Sequence, residues 1–118
     1  MAETMKMSQM VIDLASDYIE RGSTLEEKQS YLNVVCIAWN ISILPKSVRK
    51  VALIDFLTTY KTNNPNDNES NINDIKRDIG LLITEKIRMF PNAVTPIEHA
   101  EIKAKKTIMN IGLLLHHQ

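Results

Sequence analysis

The side chains with chemical reach in this chain are one cysteine, three histidines, a few spaced carboxylates and two basic clusters. Cys36 lies in the stretch CIAWNISILP, residues 36–45, beside the only tryptophan. A nucleophilic thiol needs a lowered pKa, supplied by a histidine, a lysine or a helix N-terminus. Cys36 sits mid-helix among apolar neighbours and reads as a small buried hydrophobe. His116 and His117 are adjacent in sequence. Neighbours on a helix point about 100° apart, so these two cannot readily bind one metal ion. His99, in IEHAE, reads as a solvated surface histidine. The spacings HxxxH, HExxH, CxxC and Glu-x-x-His do not occur, which leaves no metal signature.

Catalysis lacks its parts in the same way. No Ser-His-Asp set can be placed, and no glycine-rich phosphate loop or nucleophile elbow occurs. Asp13 with Asp17, and Asp74 with Asp78, stand four residues apart and read as solvated pairs on outer faces. The sequence therefore predicts no catalytic residues, no metal ligands and no cofactor.

Two basic clusters remain. PKSVRK brings Lys46, Arg49 and Lys50 to the start of a helix, and KAKK brings Lys103, Lys105 and Lys106 to another. Gathered on one side, the six would contact phosphates. That is the alternative reading, a nucleic-acid-associated regulator. Fourteen basic residues, however, balance fourteen acidic ones. A general binder of nucleic acid or acidic membrane is normally basic, so ordinary solvated lysines are the plainer reading.

Trp39 and Asn40 have a sharper reading than the cysteine. Trp39 follows Leu32 by seven residues and Val35 by four, which puts it on the apolar stripe of its helix. It reads first as the anchor of an aliphatic core. If not wholly buried, it reads as an aromatic contact for a partner. Asn40 and Asn33, seven apart, share a neighbouring side of that helix. Such an asparagine bonds a nearby loop or fixes register between helices.

These residues need elements to hold them. The chain has 118 residues, 44% hydrophobic and only 5% aromatic, which suits a single domain with an aliphatic core. Three glycines and no strict alternation of apolar and polar residues favour helices over strands. The sequence predicts an all-α fold, a compact bundle of about five antiparallel helices. The first spans residues 3–21, with Met7, Met10, Val11, Leu14 and Tyr18 inward and Gly22 as its stop. The second opens on a capping box in STLEE and ends before Pro45. The third begins at Pro45 and buries Val48, Val51, Ala52, Phe56 and Tyr60. A polar Asn-rich loop at about 62–71 follows. The fourth carries the cleanest stripe, Ile72, Ile75, Ile79, Leu82, Ile83, Ile87 and Phe90. The fifth opens with TPIE, where Thr95, Pro96 and Glu98 match a capping box, and it runs through Ile97, Ala104, Ile108, Ile111 and Leu115.

No run approaches the ~18 apolar residues of a membrane span, and one cysteine forms no internal disulfide, so a cytoplasmic location is expected. The leading functional expectation is a small non-enzymatic protein–protein interaction module. Its partner is another protein or its own copy, as a homodimer. Trp39, Asn40, Ile111, Leu114 and Leu115 are the residues expected to carry the contact.

Overall fold

The computed structural model describes residues 7–104 and 109–115, with β-strand residues beyond Glu98 described by their backbone. It is mostly helical. Four helices, α1 (Met7–Ile19), α2 (Leu25–Ile43), α3 (Lys46–Asn63) and α4 (Glu69–Met89), precede two strands, β1 (Ile97–Ala104) and β2 (Met109–Leu115).

Local chemistry sets the helix ends. Thr24 caps α2: its hydroxyl accepts from the Glu27 N–H at 3.1 Å. The Glu27 carboxylate reaches back one residue further than a capping box requires and accepts from the Ser23 N–H at 3.3 Å. Pro45 is the N-cap of α3. Asn68 caps α4 and accepts from the Asn71 N–H at 2.7 Å. The polar loop is shorter than its composition suggests, because both flanking helices invade it. Tyr60 closes it by donating to the Asp67 carboxylate at 2.7 Å.

Gly22 does not end α1 through a left-handed turn, since none of the glycines described has positive φ. It is there for space. A Cβ at Gly22 would lie 2.9 Å from the Lys28 nitrogen and 3.1 Å from Glu27, so the start of α2 passes directly over it.

The core gathers around α2, which packs on α1, α3, α4 and β1. Val11, Leu14, Ala15, Tyr18 and Ile19 come from α1. Leu32, Val35, Ala38, Trp39 and Ile41 come from α2, Ile79 and Leu82 from α4, and Ile97 from β1. The side chains are nearly all aliphatic, and burial of each valine, leucine or isoleucine contributes about 1.5–3 kcal/mol.

Two expectations fail. The third helix buries no residue at all. Val48 and Val51, expected inside, are 43% and 57% exposed, while Ala52 and Phe56, expected inside as well, do pack against the core together with Leu53. The Arg49 Nε donates to the Leu44 carbonyl at 3.0 Å and holds that side of the helix against the end of α2. The fifth helix does not exist. Its span is an antiparallel hairpin, with Ile102 opposite Ile111, Glu101 opposite Gly112 and an irregularity between Ile97 and His99. Thr95 and Pro96 are a good helix start in isolation, but tertiary contacts take the backbone groups that a helix would use.

Candidate functional site

Those contacts converge on the stretch centred on Trp39 and Asn40. Trp39 is wholly buried, and its indole N–H donates to the Thr95 carbonyl at 2.9 Å. The Asn40 amide pairs with the backbone of Ile97 as a neighbouring strand would. Its Nδ2 donates to the Ile97 carbonyl at 2.7 Å and its Oδ1 accepts from the Ile97 N–H at 2.8 Å. Lys86 donates to the Ala93 carbonyl. Three side chains from two helices thus bind the carbonyls of residues 93, 95 and 97. The chain enters the hairpin extended, held by side chains where a sheet would use a strand. The Thr95 and Ile97 carbonyls, which a helix capped at Thr95 would give to N–H groups four residues further on, accept from Trp39 and Asn40 instead.

Burial therefore removes Trp39 from the expected contact residues, and Asn40 is committed to its own chain. Asn33, the other asparagine on that helix, accepts from Gln29 at 2.9 Å.

Lys86 is a site residue that sequence reasoning missed. Its side chain is buried beneath Trp39, with the ammonium 4.9 Å from the indole centroid. Burial, and after it the positive charge of Arg49, push its pKa below the ordinary lysine value. The available signal was its position. Lys86 follows Ile79 by seven residues and Leu82 by four, within an otherwise apolar stripe.

Cys36 lies partly buried on the same helix, and burial pushes its thiol up to about 11. At neutral pH it stays protonated, the opposite of what a nucleophile needs. Among the described residues no group of three His, Cys, Asp or Glu is placed to hold a metal ion.

Asp78 departs from the expected solvated pair. Its side chain is only 12% exposed and accepts from the Tyr18 hydroxyl at 2.9 Å. Arg21 and Arg77 approach it at 3.7 and 3.6 Å, and Arg21 also lies over the Tyr18 ring. Burial, with the Asp78 hydrogen bond second, raises the Tyr18 phenol well above its usual range. The cluster divides two open clefts. One, of about 410 Å³, lies between α1 and α4. The other, of about 670 Å³, is lined by Tyr31, Phe56, Tyr60 and several amides from α2, α3 and α4. With its carboxylate already held by a phenol and two guanidinium groups, Asp78 fixes α1 to α4 and is poorly placed to accept a substrate proton.

Among the described residues the two basic clusters stand on different kinds of element. Lys46 and Lys50 are exposed on the first turns of α3, while Arg49 is turned inward to Leu44. Lys103 stands on β1, a strand where a helix was expected, and Lys105 and Lys106 lie outside the described residues. Ile111, Leu114 and Leu115 stand on β2, with Leu114 in register with His99 and Leu115 with Ile97. His116 and His117 lie outside the described residues.

The surface the sequence concealed is the outer face of α3. Val48, Val51 and Ile54 recur every three residues and are each more than two-fifths exposed. No family model, curated protein or solved structure matches this chain. The geometry alone supports a functional reading.

Proposed function

We propose that this chain is a small non-enzymatic protein–protein interaction module of the cytoplasm. The observation that carries the reading is the outer face of α3. A helix with no buried residue and three exposed β-branched apolar side chains holds more apolar surface than its own fold uses. The zero net charge removes long-range repulsion between neutral partners. The groups best suited to chemistry are occupied: Cys36 is protonated, Asp78 is held by counter-charges, and Lys86 is buried under an indole.

No helix among the described residues is long and apolar enough to cross a membrane.

Native mass spectrometry on the chain isolated gently from its own cells tests the reading. A stoichiometric second protein or a dimer mass supports it. A bare monomer, free of any companion and still monomeric at high concentration, overturns it. Duplex DNA is the control for the basic residues, since phosphate contacts weaken steeply with added salt. Salt-sensitive DNA binding that is lost on replacing Lys46 and Lys50 would favour a nucleic-acid function in its place.

A further inference from the structure

The outer face of α3 has a charge pattern as well as an apolar one. Lys50 and Asp55 flank Val51 and Ile54, so the four residues run K-V-x-x-I-D. Both charged side chains are exposed, and neither joins an ion pair among the described residues. On a helix, Val51 and Ile54 share one face, Lys50 lies on one flank of it and Asp55 on the opposite flank. These are the relations of positions g, a, d and e in a heptad.

We propose that a second copy of this chain covers α3, the two helices lying parallel across a twofold axis with Val51 and Ile54 against their counterparts. This rests on the interaction reading above and names its partner. In a parallel pair, a flanking residue faces the opposite flank of the partner five positions further along. Lys50 of each chain then meets Asp55 of the other, and the contact is made twice by symmetry. An antiparallel pair would bring like flank to like flank, Lys50 towards Lys50 and Asp55 towards Asp55, and lose both attractions. The charges therefore select the parallel arrangement. Ser47 and Thr58, the next residues along the same face at either end, are polar and exposed. They confine the apolar contact to one heptad, so the pair is weak and dissociates on dilution.

Sedimentation equilibrium of the purified full chain over a wide concentration range is the experiment. The wild type is expected to pass from monomer to dimer as concentration rises. Ile54→Lys, at an exposed position that leaves the fold intact by circular dichroism, should abolish the dimer. Lys50→Glu and Asp55→Lys should each weaken it about tenfold, because each replaces two attractions with two repulsions. The double variant Lys50→Glu with Asp55→Lys should recover most of the loss. A wild type that stays monomeric at the highest soluble concentration overturns the proposal. So does a double variant no better than the singles. A purified monomer whose native isolate carries a different protein overturns the self-pairing and leaves the interaction reading standing. A monomer in both experiments removes both.

Discussion

Asn40 shows how much one side chain can decide. Its amide offers a donor and an acceptor in the same spacing as a backbone peptide, and Ile97 uses both. Replacing Asn40 by Ala removes the partners that Asn40 gives to the N–H and C=O of Ile97, a residue only 3% exposed. Each such group costs about 1–3 kcal/mol. The Asn40→Ala chain is therefore expected to lose roughly 2–4 kcal/mol, read as a lower denaturant midpoint at unchanged slope. A loss within about 0.5 kcal/mol, the range of an ordinary surface change, would mean that the hairpin is not anchored there. Trp39 and Lys86 act with it but by different physics. The indole brings aliphatic-core burial and one hydrogen bond, while the ammonium sits against the indole face and takes a carbonyl.

At the scale of elements, two glycines separate backbone freedom from space. Gly80 sits exposed in the middle of α4, where an added Cβ meets nothing within 4 Å. Glycine inside a helix is about 0.5–1 kcal/mol worse than alanine. Gly80→Ala should therefore raise stability by about that amount. Gly22→Ala should lower it by about 1–3 kcal/mol, since the new Cβ would press on the backbone of α2. Thermal unfolding of the two variants side by side checks both signs, and a destabilising Gly80→Ala would contradict the open space found beside Gly80 among the described residues. α3 is the element most open to approach from outside the chain. Its inward face is only partly covered and its outward face is apolar.

At the scale of the whole molecule, the hairpin closes the core rather than decorating it. Ile97 is 3% exposed and belongs to the same cluster as Trp39 and Ile79. A chain ending at Asn92 would lose Ile97 and every carbonyl that Lys86, Trp39 and Asn40 bind. It should keep helical far-ultraviolet dichroism, lose its sharp thermal transition and bind a hydrophobic dye. A cooperative transition close to that of the full chain would show that the four helices suffice. One copy is then a folded unit that still presents an apolar helix face, which is the physical condition for a partner.

The sequence by itself determined four helices, most of their ends and the aliphatic nature of the core. Periodicity and capping are local properties, and Thr24 with Glu27, Pro45 and Phe90 before Pro91 express them within a few residues. It also placed Trp39 in the core and Asn40 at its border, since both follow from spacing along one helix. Only the tertiary structure decided that residues 97–104 and 109–115 pair as antiparallel strands. TPIE carries a sound helix start, but Trp39 and Asn40 are more than fifty residues away and take the Thr95 and Ile97 backbone groups first. The same holds for Lys86, whose burial needs the indole of another helix. Local pattern fixes which face of a helix is apolar, while the competition between faces for a limited core is settled only when all the elements meet.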